Sequence, residues 1–180
     1  MAENAQQKKA LEQLKSDLFS NDEKVVAKAL NKADDIGNFT LVRPLVELWF
    51  STPQDSIKTK VAKMLNELKI SQADQELMAC ALDERYVSVR KDILSFVWNS
   101  GGSPDSYIID LCAIAMNGSF EEAFECLTIV ENLTAPLDDV KLTEATLQVR
   151  EFLSGNPEKS RKAIVLSLYE VLKGLAELEE

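Results

Sequence analysis

Acid-base chemistry in this chain would have to come from carboxylates, because its 180 residues include no histidine. With histidine go the commonest general base, the commonest metal ligand and the usual switch near neutral pH. Three adjacent acid pairs remain, Asp34-Asp35, Glu121-Glu122 and Asp138-Asp139. An acid/base pair needs two carboxyls in unlike surroundings that drive their pKa values apart. Neighbours at i and i+1 on a helix point in different directions, and all three pairs fall near segment ends, where acids favour caps and solvent. They are read as solvated. A carboxylate-dependent enzyme would require a deep pocket holding two close acids. Cys80, Cys112 and Cys126 are odd in number and lack Cys-x-x-Cys spacing, and each lies in an apolar run, as a reduced buried thiol would. No Gly-rich phosphate loop, G-x-S-x-G elbow or Asp/Asn-rich calcium loop occurs. The expectation is a chain with no catalytic residues, metal or cofactor.

The side chains must then be placed by a fold, and composition bounds it. At 46% hydrophobic and 28% charged residues the chain is globular in type, and its length suffices for a core without disulfides or a structural metal. The formal charge of -10 opposes non-specific binding to phosphate backbones and anionic membranes. That charge is unevenly spread. Residues 1 to 90 hold 13 Lys/Arg against 14 Asp/Glu, while residues 91 to 180 hold 7 against 16. Between 92 and 149 the single base is Lys141. The first residues carry no apolar run of the kind that leads a secreted protein, and no stretch approaches eighteen apolar residues, so the expectation is a cytoplasmic protein.

Turn signals at Asn21-Asp22, Gly37-Asn38, Thr52-Pro53, Ile70-Ser71, Gly101-Gly102-Ser103-Pro104, Asn117-Gly118, Ala135-Pro136 and Gly155-Asn156-Pro157 divide the chain into helix-length segments. Apolar spacing at i, i+3, i+4, i+7 recurs in almost all of them, and period-2 alternation is missing. Self-comparison sharpens the pattern. Taking Val26, Lys58, Arg90, Ala123 and Arg161 as equivalent gives steps of 32, 32, 33 and 38 residues. At +3, +4 and +7 from them stand Ala29, Leu30 and Ala33; Val61, Ala62 and Leu65; Ile93, Leu94 and Val97; Cys126, Leu127 and Val130; Ile164, Val165 and Leu168. The preceding segment agrees, with Leu14, Val46, Met78, Leu111 and Val149 at -12 and Leu18, Phe50, Leu82, Ala115 and Leu153 at -8. Each unit is a helix, a turn and a second helix, too small to bury its own apolar face, so pairs must stack. Residues 1-180 are expected to form one domain of units near 6-37, 38-70, 71-101, 104-134 and 137-176. Extra residues fall around Ala135-Pro136-Leu137-Asp138-Asp139, and the tail from Lys173 to Glu180, with Leu175 and Leu178, reads as a cap or a self-association element.

The period near 32 and the segment Asp83-Glu84-Arg85-Tyr86-Val87-Ser88-Val89-Arg90-Lys91-Asp92-Ile93-Leu94, read as the opening of a second helix, resemble the short, armadillo-related HEAT-like repeats. The Val-Arg that opens the family's second helix is matched by Val89-Arg90, and Arg161 keeps the arginine; Val26, Lys58 and Ala123 depart from it. Tetratricopeptide repeats share the period, but their signature is not in register here. The resemblance implies an all-α fold, an α-α superhelix wound as a right-handed solenoid of about five hairpins, and a non-enzymatic scaffold or adaptor for protein partners. HEAT-like hydroxylases hold iron through His-Glu pairs, which this chain lacks. The alternative is a HEAT-like nucleic-acid-associated protein of the alkyl-base DNA glycosylase type, which needs a positive groove. Phycobilin-lyase-related members are excluded by no residue and supported by none.

The outward ridge of the second helices is the expected recognition surface. Lys28, Lys60 and Lys63, with Arg90, form its basic end, and Asp92, Glu121, Glu122 and Glu125 its acidic middle. One reading gives the acids a basic protein segment as partner; the other leaves them a solvated face that keeps the protein soluble. Phe96, Trp98 and Phe124 on the flanks either pack between units or anchor a peptide in an exposed groove. Nucleic acid and membrane are not expected partners, and the oligomeric state is left open.

Overall fold

Ten α-helices carry the chain in a computed structural model that describes residues 5–134, 137–155 and 157–177. They are α1 (Ala5–Leu18), α2 (Glu23–Ile36), α3 (Val42–Ser51), α4 (Asp55–Asn66), α5 (Ala73–Ala81), α6 (Arg90–Asn99), α7 (Ile108–Asn117), α8 (Phe120–Glu131), α9 (Asp139–Ser154) and α10 (Lys159–Glu177). No strand occurs among the described residues. The turn residues Ala135, Pro136 and Asn156, the first four residues and the tail from Leu178 lie outside them.

The helix ends follow from local chemistry. Asp22 accepts the Lys24 backbone N–H at 2.8 Å and starts α2. Gly37 closes that helix at φ +56, the left-handed region that only glycine enters without cost. Ser119 and Glu122 form a capping box at the start of α8. The Glu122 N–H donates to Ser119 Oγ at 3.1 Å, and the Ser119 N–H donates to Glu122 Oε2 at 2.5 Å. Gly118 makes room for it, since a Cβ there would meet Glu122 Oε2 at 2.5 Å and the Ile114 carbonyl oxygen at 2.8 Å.

Consecutive helices pack together, α1 on α2, α3 on α4, α5 on α6, α7 on α8 and α9 on α10. Contacts also run from α1 to α3, α3 to α5 and α7 to α9, with α5 and α7 touching at most sparingly, and from α2 to α4, α4 to α6, α6 to α8 and α8 to α10. The last of these are extensive, whereas α2 and α4 touch sparingly.

The apolar frame falls inside. Val26, Lys58 and Ala123 are each the fourth residue of their helices and Arg161 is the third residue of α10, but Arg90 departs as the first residue of α6, because a 3-10 turn takes the place of the preceding α-helical turn. Of the fifteen residues at +3, +4 and +7, thirteen are buried, and Ala62 and Leu127 pack half-buried against the core. The five at -12 are buried throughout. The frame fails at -8, where Leu18 and Ala115 are buried and Leu153 is half-buried but Phe50 and Leu82 are exposed.

One element departs from expectation. Glu84–Val89 forms a 3-10 turn ahead of α6 rather than α-helix. Asp83 accepts the Arg85 N–H at 3.1 Å, and the tighter winding drops Tyr86 fully into the core, where its hydroxyl donates to Glu47 Oε2 at 2.5 Å.

Glu122 is therefore a structural group. Glu122→Ala is expected to cost about 1–2 kcal/mol of unfolding free energy in urea titrations, by loss of the capping box and of the carboxylate facing Arg90. Glu121→Ala, on the exposed side of the same turn, should cost about 0.5 kcal/mol or less. Equal effects would contradict the assignment.

Candidate interaction surface

The recognition residues divide once their surroundings are known. Asp92 on α6 is half-buried and pairs with Lys91 at 3.2 Å. Glu125 on α8 is also half-buried. Its carboxyl is pushed above the ordinary range chiefly by burial, with Lys91 opposing and Asp92 adding repulsion. The packing of α6 on α8 thus sets Asp92 and Glu125 within electrostatic reach of one another. Glu121 is exposed. Glu122 does not belong with them. It is buried at 9% exposure, caps α8, and faces the Arg90 guanidinium at 3.6 Å.

The apolar candidates divide in the same way. Phe96 is corrected to a core residue. It is buried, and its ring meets Trp49 edge-on with centroids 5.3 Å apart. Trp98 and Phe124 are exposed at 45% and 56%. Phe120, which the sequence reading did not single out, is exposed at 52% and lies one turn before Phe124. Its signal was available in the Ser119 cap, which makes Phe120 the first residue of the helix, before the apolar stripe begins.

The residues of the basic end stand in different surroundings. Lys28 is exposed on α2, Lys60 donates to Asn31 Oδ1 at 2.5 Å, and Lys63 lies 3.9 Å from Glu67. Arg90 is turned inward, and its Nε donates to the Ala81 carbonyl at 2.9 Å. Arg161 behaves alike, donating to the carbonyls of Ala115 and Ser119 at 3.0 Å each and to that of Gly118. Both guanidiniums satisfy carbonyls at helix C-terminal ends, where positive charge is favoured.

A second polar cluster escaped the sequence reading because its members are far apart in the chain. Arg85 grips Asp83 through Nε at 3.1 Å and through its terminal nitrogen at 2.9 Å, and Arg43 reaches the same carboxylate at 3.0 Å. Arg85 also lies 3.7 Å from Glu47 and over the Tyr86 ring at 5.1 Å. The Arg85 side chain, then its backbone N–H, and also Arg43 hold the Asp83 carboxyl well below the usual range, while burial and the Glu47 hydrogen bond push the Tyr86 phenol up. Arg43, Glu47, Arg85 and Tyr86 border an open cavity of about 500 Å3 with Lys15, Phe19 and Pro44. Arg43 is paired with Asp83, and Arg85 with Asp83 and Glu47, which fits a brace between α3, α5 and the 3-10 turn.

Nucleophilic chemistry finds no support at the cysteines. All three are buried, and burial raises the Cys80 thiol to about 11, Cys112 to about 12 and Cys126 well above its ordinary value. They stay protonated at neutral pH. Among the described residues no group of three or more Cys, Asp and Glu could hold a metal ion, and no helix is long and apolar enough to cross a membrane.

No family model, curated protein or solved structure matches this chain. The likeness to HEAT-like repeats therefore rests on the residues and their spacing.

The brace predicts a pH dependence. Asp83 has a folded pKa below its unfolded one, so its stabilisation is complete above the unfolded value of about 4 and is lost as pH falls toward the folded value. The stability difference between the wild type and Asp83→Asn, measured by denaturant titration, should be constant at neutral pH and shrink below about pH 4. A difference unchanged down to about pH 2 would contradict the assignment.

Proposed function

We propose that the chain is an α-solenoid of about five HEAT-like hairpins and works as a non-enzymatic scaffold that holds a protein partner on its second-helix surface. Two features of the fold support the solenoid reading: contacts that run second helix to second helix throughout and first to first except between α5 and α7, and the near-constant place within their helices of four of the five register residues, Val26, Lys58, Ala123 and Arg161, with Arg90 the exception. The observation that carries the binding role is the surface of α6 and α8. Trp98 on α6 and Phe120, Glu121 and Phe124 on α8 are exposed, and Asp92 and Glu125 on the same two helices are half-buried.

Exposed aromatic rings are large anchors with little rotamer entropy to lose, and carboxylates around them select a partner by charge. The partner this chemistry fits is a basic segment with apolar side chains. It would cover the rings and bring positive charge to the half of the chain that carries most of the net negative charge. With Phe96 in the core and Glu122 spent on the helix cap, the working set is Asp92, Glu121, Glu125, Trp98, Phe120 and Phe124. Catalysis has no place in this reading, since the acids lie on an open helical surface and the thiols are buried and protonated.

Affinity capture from lysate with the wild type and with two variants tests it. Glu121→Lys with Glu125→Lys, and Trp98→Ser with Phe124→Ser, replace exposed or half-buried groups and should keep the helical circular dichroism. Both are expected to reduce recovery of the same partner about tenfold or more. Recovery unchanged in both variants would remove the proposal.

A further inference from the structure

The far side of α9 offers a second surface, separate from α6 and α8. Among the described residues the helices packed closely on α9 are α7 and α10, which cover Leu142, Ala145 and Val149. Among the first helices α3 is flanked by both α1 and α5, so α9 has one such neighbour where α3 has two. Opposite its buried stripe α9 presents Val140 at 76% exposure and Leu147 at 48%. Seven residues apart, they stand two turns apart on one side of the helix. Val140 is the most exposed of the large apolar side chains among the described residues.

The charge around these two groups restricts what can cover them. Asp139, Glu144 and Glu151 border them and are exposed, and with Thr143 and Gln148 they line a shallow groove. Lys141 on the same helix is turned aside and donates to the Ser106 carbonyl at 3.1 Å, and Arg150 sits toward the flank. Two copies meeting α9 to α9 would bring six like charges together over a few apolar contacts, which electrostatics disfavours. A nucleic acid or an anionic membrane meets the same repulsion. The stacking within the fold shows what shape fits: a helix laid beside α9, as α7 is on its other side.

We propose that the outer face of α9 docks an amphipathic helix of another protein, one with apolar residues at i, i+3, i+4, i+7 spacing and lysine or arginine along its edges. Val140 and Leu147 form the apolar contact, and Asp139, Glu144 and Glu151 pair with the basic edges. The chain then has two places to hold partners, at the end of the stack and on its second-helix surface, as an adaptor requires.

The test uses the whole chain, 15N-labelled, and two synthetic amphipathic peptides of about 20 residues, one of leucine and lysine and one of leucine and glutamate. Titration followed by amide chemical shifts is expected to move residues 139–151 with the lysine peptide and to leave them unmoved with the glutamate peptide. Val140→Ala with Leu147→Ala keeps the helix and should weaken the lysine peptide about tenfold. Glu121→Lys with Glu125→Lys should leave the shifts at 139–151 unchanged, which separates this site from the one on α6 and α8. The proposal is overturned by shifts confined to α6 and α8, by equal binding of the glutamate peptide, by indifference to the alanine pair, or by self-association of the chain through Val140 and Leu147.

Discussion

A pair of short helices cannot bury the apolar side it presents, and everything else in this protein follows from that constraint. Ala33, Leu65, Val97, Val130 and Leu168 share one position of the register, and each is shut off from water only because other helices lie against its own. The apolar positions are therefore shared property. A change at one of them is felt on both sides of a packing boundary, as expected for side chains packed at crystal-like density.

Sharing the interior also decides how polar groups are used. Arg90 and Arg161 lie on the second helices yet spend their guanidiniums on carbonyls at the ends of first helices. Glu122 answers Arg90 across α6 and α8 while closing the first turn of α8. Such groups stitch one helix pair to another where apolar contact stops, and having done so they are not free to meet a partner. What is left for recognition is whatever the stitching did not consume, and on α6 and α8 that includes exposed rings and exposed or half-buried acids. The acidic bias of the second half of the sequence thus has two distinct origins. Some carboxylates cap helices or face arginines, and others simply point outward.

Most of the helical architecture was legible in the residues because 3.6-residue periodicity reports which side of a helix is apolar, and the cap and turn residues report where helices stop. Val26, Lys58, Ala123 and Arg161 illustrate it, since one register places each at nearly the same depth in its helix, while Arg90 of the same register opens α6 because the residues before it wind as a 3-10 turn. The candidate site was only half legible, for a physical reason. Periodicity assigns a side, but it does not say how far a neighbouring helix reaches over that side. Phe96 and Trp98 are two residues apart and were read alike, yet Trp49 from another pair covers the first and nothing comparable covers the second. Phe50 and Leu82 failed in the opposite sense, as apolar residues left exposed, Phe50 with Tyr86 against its ring. The Asp83 brace was illegible because it joins residues some forty positions apart by hydrogen bonds, which leave no periodic trace.

If neighbouring pairs hold one another, stability must grade along the stack, being greatest where a pair is flanked closely on both sides and least at an end with sparse contacts. Native-state hydrogen exchange read residue by residue measures that grading directly. The account predicts the slowest amides in α6 and α8, with α1 and α2 opening at clearly lower free energy than the rest. Uniform protection across all ten helices, or faster exchange in α8 than in α1, would contradict it.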